Sequence, residues 1–155
     1  VIHQWVHGRA FHPRTLHHAM IQAYSRAIEA RGLEPLILEE GPDEAARRVG
    51  WKKLLTGRKR ATAIFAVGDW RLVRAWPVIR ASGLSIPRDL ALVGYDNTPW
   101  STDFEIPFTS VSIQEEELGR LTAQALLGGD AEARLIEVPP RLMVRASCGG
   151  KPEAE

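Results

Sequence analysis

Ile86-Pro87-Arg88-Asp89-Leu90-Ala91-Leu92-Val93-Gly94-Tyr95-Asp96-Asn97 decides the fold class of this chain. Pro87 sets a turn, because its ring locks φ and removes an amide donor. Leu90 to Val93 is then a nearly unbroken apolar run, the pattern of a strand buried on both faces of a parallel sheet. The run stops at Gly94-Tyr95, so the backbone turns and presents Asp96 and Asn97 just past the strand's carboxyl end. In open α/β sheets, ligands bind in the crevice outside those strand ends.

Working outward, strand-like and helix-like segments alternate, which implies a parallel α/β sheet with helices on both faces. Val1 to Val6 reads as the first strand. A helix is expected from about Pro13 to Arg31, with Leu16, Met20, Tyr24 and Ile28 on one face and Gly32 as its stop. Leu36 to Leu38 reads as the second strand, and Asp43 offers an N-cap for a helix ending near Gly57. Ala63 to Val67 is the third strand. Its helix runs from about Trp70 to Ser82, with Asp69 as a cap, Gly83 as terminator and Pro77 inside, where a kink or a restart is expected. The fourth strand is Leu90 to Gly94, completing a four-stranded parallel core. A long turn leads to a short strand near Ser110 to Ile113, a helix over Glu115 to Leu127, and two closing strands, Arg134 to Val138 and Leu142 to Ala146.

Several spaced motifs agree in order with one family. Thr62-Ala63-Ile64-Phe65-Ala66 with Asp69, the Ile86–Asn97 stretch, Thr109-Ser110-Val111, Glu116-Glu117-Leu118-Gly119 and Leu142-Met143-Val144-Arg145-Ala146-Ser147 together resemble the lactose-repressor/galactose-repressor family of bacterial transcription regulators. The resemblance is dense from Ala61 to Cys148 and looser before Arg60. It implies one lobe of a type I periplasmic-binding-protein-like fold over residues 1–148, with a disordered tail at 149–155. It also implies that segment 108–128 crosses over, and that its helix packs on a second lobe. By the same resemblance, a small-molecule effector is captured between the lobes, and a helix-turn-helix headpiece outside this chain reads operator DNA. The opening Val1, already inside an apolar run, is expected of a piece of a longer protein. A fragment of a periplasmic sugar-binding protein shares the architecture and is the alternative.

Candidate ligand-binding residues are Asp96, Asn97, Asp69, Gly68, Trp70 and Arg48. Carboxylates beside aromatic rings suit polyhydroxylated ligands, since a carboxylate accepts from two hydroxyls and a ring covers C–H surface. The family's equivalent of Asp96 binds effector hydroxyls, whereas a bare turn-forming role is the plain alternative. For Asp69 the plain alternative is helix capping, and for Arg48 a solvated helix face. If Arg48 enters the cleft, an anionic ligand becomes attractive. Two departures stand out. Gly68 replaces the asparagine that commonly precedes the aspartate, and Met20 replaces an arginine that makes a bidentate effector contact in the family. Trp70 and Trp100 flank the two carboxylate loops and are candidates for lining the cleft or for packing.

Composition narrows the rest. The 155 residues carry 20 Lys plus Arg against 19 Asp plus Glu, which argues against a nucleic-acid-binding face within this chain. Cys148 is the single cysteine, so no internal disulfide forms and a reducing, cytoplasmic setting fits. No apolar run reaches the roughly 18 residues of a membrane span. His3, His7, His12, His17 and His18 crowd the start but lack any HExxH pattern or cysteine partner, so no metal and no cofactor is expected. No nucleophile–base motif such as GxSxG is present, and the chain is read as a non-enzyme. The stripe Leu118, Leu121 and Ala125, with Leu126 and Leu127 beside it, is expected to lie open without its partner lobe and to drive self-association or a homodimer.

Overall fold

The computed structural model describes residues 2–4, 16–41, 43–128 and 135–151. In chain order the elements are β1 (Ile2–Gln4), α1 (Leu16–Glu29), β2 (Leu38–Glu40), α2 (Glu44–Leu55), β3 (Ala63–Phe65), α3 (Asp69–Ala81), β4 (Ala91–Tyr95), α4 (Pro99–Thr102), β5 (Thr109–Ser112), α5 (Glu115–Leu127) and β6 (Arg141–Met143). A single 3₁₀ turn follows at Ala146–Cys148. The expected α5 has the observed bounds, and Asp43 caps α2 as read, its Oδ1 accepting from the Ala46 amide at 2.8 Å. Helix α3 runs unbroken through Pro77.

The strands divide differently from the four-stranded parallel core that the sequence suggests. β1 and β2 pair with each other in parallel, with Ile2 opposite Leu38. The larger sheet has the order β3-β4-β5-β6; its first three strands are parallel and β6 closes the edge antiparallel to β5. The sheet is thus parallel-dominated rather than wholly parallel. β2 begins two residues later than expected, because its last residue, Glu40, is drawn inside by a buried partner that no hydropathy pattern reveals. Residues 135–140 carry no strand, and the closing strand is the short Arg141–Met143 alone. Residues 152–155 of the expected tail, together with His7 and His12, lie outside the described residues.

The core forms where α2 and α3 meet the sheet. Trp51 and Leu55 from α2, Leu72, Ala75 and Ile79 from α3, Ile64 from β3, Leu92 from β4, and the flanking Leu90 and Phe108 are all at most 4% exposed. Spacings of three and four residues place these α3 side chains on one face. Along β4, Leu92 and Gly94 are buried, whereas Ala91, Val93 and Tyr95 are half-buried. The run is therefore covered fully on one face and partly on the other, not sealed on both. Trp76, Phe104 and Phe108 extend the core towards α4, Trp76 meeting Phe104 edge-on with centroids 5.2 Å apart.

Two motif residues act as fasteners. Asp89 closes the turn around the cis Ile86-Pro87 bond, its Oδ2 accepting from the Ser85 amide while its own amide donates to the Ser85 carbonyl. Ser147, fully buried, bridges β4 and β5 at Thr109, the first residue of β5, which lies in register with Val93. Its hydroxyl donates to the Leu92 carbonyl at 2.6 Å and accepts from the Thr109 amide at 2.8 Å. One hydroxyl thereby continues a ladder that the backbone alone leaves open. Replacing Ser147 by Ala strands both buried groups, and we expect a loss of about 1–3 kcal/mol in urea unfolding. An unchanged midpoint would mean that water replaces the hydroxyl without loss.

Candidate functional site

The loop after β4 is the most constrained part of the molecule. Asp96 and Asn97 have φ of 91° and 49°, a left-handed region in which Asp and Asn are the least disfavoured residues with a side chain. Consecutive residues in that region are held only if the surroundings over-determine them. Here each amide of the loop is tied. Asp96 N–H donates to the Val111 carbonyl at 2.9 Å, Asn97 N–H to Ser110 Oγ at 3.0 Å, and Thr98 N–H to Asp69 Oδ2 at 2.8 Å.

Asp69 is the anchor beneath the loop. It is fully buried and accepts from Thr98 N–H, from Thr98 Oγ1 at 3.0 Å and from Ser110 Oγ at 2.7 Å. The capping role read from sequence is overturned. Asp69 is the first residue of α3, Gly68 occupies the N-cap position, and no side-chain capping bond is made there. The carboxylate turns instead towards β5 and the loop, where it finds more donors. This requires Gly94, since a Cβ there would lie 2.0 Å from Asp69 Oδ1.

Gly68 answers the question raised by the missing asparagine. Its φ is 116°, and a Cβ would meet the Trp70 indole Nε1 at 2.8 Å and Asp96 Oδ2 at 3.7 Å. The Trp70 ring thus fills the space that a side chain at position 68 would take, and Gly68, Trp70 and Asp96 meet at one point. Behind them Arg71 lies 4.5 Å from the Trp70 ring centroid, within the range of a cation–π contact. It is 3% exposed, donates from Nη1 to Glu40 Oε2 at 3.0 Å and from Nε to the Val67 carbonyl at 2.7 Å. Glu40, 2% exposed, also accepts from the Trp51 indole at 3.1 Å. Burial pulls the Arg71 pKa below the usual guanidinium range, while the charges of Glu40 and, more weakly, Asp96 favour its protonated form.

Arg145 fixes the other half of the loop. It donates from Nη2 to Asn97 Oδ1 at 2.7 Å and from Nη1 to the Phe108 carbonyl at 2.8 Å. Asp96 and Asn97 then line a crevice of about 470 Å³ that also takes in Ser112, Gln114, Arg141 and the acidic first turn of α5. A volume in this range accommodates a small organic ligand. Its donors and acceptors are mixed: carboxylates from the loop and α5, the Asn97 and Gln114 amides, and the guanidinium groups of Arg120, paired with Glu117, and Arg141.

A model of the periplasmic binding protein-like domain matches residues 6–148. The chain is 34% identical over 134 residues to the ribose operon repressor of Haemophilus influenzae, covering 82% of this chain and 40% of that protein. A solved complex of the transcriptional regulator CelR with cellobiose is 28% identical, covers 94% of this chain and 46% of its own, and superposes with a TM-score of 0.65. A regulator of the lactose-repressor family from Bifidobacterium animalis, 24% identical, shares the fold with a TM-score of 0.75 over 99% of this chain and 55% of its own. The chain belongs to the lactose-repressor family of periplasmic binding protein-like domains. It corresponds to the ligand-binding region of those regulators and spans about half, or less, of the length of the relatives described.

The structure brings Gly68, Trp70 and Asp96 to one point and buries Asp69 beneath the loop, and of the candidate residues only Asp96 and Asn97 line the crevice. Arg48 is not among them. It sits more than a turn into α2 and lines a separate groove between α2 and α3. At 1.5 Å of rise per residue, position 48 is carried away from the strand ends that α2 starts from. Trp100 is 57% exposed on α4 and does not line the crevice, and Met20 is half-buried on α1. Among the described residues no three metal-ligating side chains converge, and no helix is long and apolar enough to cross a membrane. Sequence reading gives no site role to Ser110, Arg145 or Arg71. A polar residue in a strand that should be buried was the available signal for Ser110. Arg71 gave none, because a single arginine in a helix is ordinarily read as solvated.

Asp69→Asn keeps the shape but points an amide at donors already aimed at Oδ1 or Oδ2. We expect about 1–3 kcal/mol of destabilisation and, more tellingly, faster hydrogen exchange at the Asn97 and Thr98 amides than elsewhere in the sheet. Uniform acceleration across the chain would show that Asp69 supports the fold generally and not this loop.

Proposed function

We propose that this chain is the effector-sensing lobe of a cytoplasmic bacterial transcription regulator, and that its effector is a small polyhydroxylated molecule held at Asp96 and Asn97. The observation that carries the reading is the loop itself: two adjacent residues in left-handed conformation, every amide tied, at the carboxyl end of β4. Strain of this kind is maintained where a side chain must be presented in one orientation. With Asn97 Oδ1 engaged by Arg145, its amide donors are left for a ligand, while the Asp96 carboxylate accepts from hydroxyls.

Similarity to a ribose operon repressor and to a cellobiose-bound regulator supports a sugar over other polyols. The whole regulator is proposed to act as a homodimer. Its second lobe closes over the crevice, and its DNA-reading headpiece responds to the closure. A ligand shifts such an equilibrium only by its differential affinity for the two arrangements. No catalytic step is part of this reading, since the repressors that the chain resembles are regulators.

Thermal unfolding against a panel of ribose, glucose, cellobiose and sucrose tests the proposal. At a hundredfold excess over Kd the stabilisation is about 2.7 kcal/mol, which for a chain of this size raises Tm by several degrees. One sugar should give a saturable shift that Asp96→Ala abolishes. If no sugar shifts the transition, or if Asp96→Ala responds like the parent, the assignment fails.

A further inference from the structure

The groove between α2 and α3 shares no lining residue with the Asp96 crevice. It holds about 200 Å³ and is edged by Arg47 and Arg48 from α2 and Arg74 from α3, over a floor that includes the buried Trp51. Two carboxylates line it as well. Glu40 is committed to Arg71 and the Trp51 indole, which leaves Glu44 as the one remaining acid against three guanidinium groups. Acid–arginine pairs form elsewhere, at Arg80–Glu105, Arg88–Asp89 and Arg120–Glu117. Among the described residues, none of the three groove arginines makes an ion pair or a side-chain hydrogen bond.

Such a lining concentrates positive potential. A concave site with low-dielectric walls focuses the field of one sign of charge, and Ala75, Pro77 and Val78 provide apolar walls here. Arg74 lies 5.7 Å from the Trp70 ring centroid, and its charge lowers the Arg71 pKa, so the two α3 cations repel each other. An anion in the groove would meet guanidinium groups from both helices and relieve the repulsion among them. Arginine's planar fork suits phosphate and carboxylate oxygens alike. A drug-sized molecule needs a pocket of roughly 300 Å³ or more, so the space available selects a smaller ligand.

We propose that this groove is a second ligand site, distinct from the Asp96 crevice, that binds a compact polyanion: a phosphorylated or polycarboxylic metabolite. The proposal stands whether or not the crevice binds a sugar.

Calorimetric titration of the whole chain with pyrophosphate, and separately with citrate, at constant ionic strength tests it. Three proteins are compared: the parent, Arg47→Gln/Arg74→Gln, and Arg26→Gln/Arg58→Gln, which removes the same charge from exposed positions that line neither site. The groove positions are not buried, and circular dichroism checks that both variants remain folded. Saturable binding of at least one anion is expected, with each groove arginine worth about tenfold in Kd and the control pair leaving it within about twofold. Binding of pyrophosphate alone assigns phosphate chemistry, binding of citrate alone assigns carboxylate chemistry, and binding of both assigns recognition by charge. The proposal is overturned if neither anion saturates, if the groove variant binds as the parent does, or if the control variant loses as much as the groove variant.

Discussion

The Asp69 carboxylate is the interaction on which the carboxyl end of the sheet, and the loop after β4, depend. An ionised carboxylate can only accept, and burying one is unfavourable unless its oxygens are met by donors. Asp69 is fully buried and meets three: the Thr98 amide, the Thr98 hydroxyl and the Ser110 hydroxyl. These reach it from the loop after β4 and from β5, so a single side chain at the start of α3 ties together parts of the chain about 30 to 40 residues apart. Gly94 is the cost-free complement, since only a residue without Cβ lets the carboxylate lie against β4. Ser110 then passes the constraint on, because the oxygen that donates to Asp69 also accepts from the Asn97 amide. The left-handed backbone at Asp96 and Asn97 is the downstream result.

Two further buried polar arrangements extend that logic. Glu40, Arg71 and Trp51 link the end of β2 to α2 and α3, and among the described residues no fully buried polar side-chain atom is left without a partner, which is the condition for a buried ion pair to be tolerated. The same arginine lies against Trp70 and within electrostatic reach of Asp96, so the pair sets the charge environment behind the loop as well as the packing of the helices. On the opposite side, Arg145 and Ser147 bind the closing segment to Asn97, to Phe108 and to the β4–β5 junction. The loop after β4 is therefore tied from both sides by side-chain hydrogen bonds.

The part furthest from this network is different in kind. None of the residues of α5 is buried, and Leu118, Leu126 and Leu127 are 45%, 79% and 87% exposed; Leu142 on β6 is 56% exposed. The apolar stripe read from the sequence is real, and the helix does not fold back onto its own sheet. An open apolar face beside a preorganised crevice is the arrangement expected where a second body closes on the first.

Local rules made much of this legible in advance. Pro87, the Leu90–Val93 run and the break at Gly94 located β4 and the loop that follows, because strand burial and turn chemistry are short-range properties of the chain. Asp43 located the start of α2 for the same reason, and the spaced motifs located the family. The readings that failed concern partners distant in sequence. Asp69 was read as a cap because capping is its nearest available bond; the stronger set of donors lies 29 and 41 residues away. Arg48 was placed at the cleft because sequence spacing does not tell how far along its axis a helix carries a residue. Glu40 and Arg71 were unreadable as a buried pair, since each alone looks solvated and only the packing of α2 against α3 removes the water between them. Sequence by itself determined where the backbone turns and which side chains are offered to the strand ends. Tertiary structure alone decided which of those side chains line the crevice and which are consumed in holding the others, because a buried polar group takes whichever partners the packed chain brings within reach.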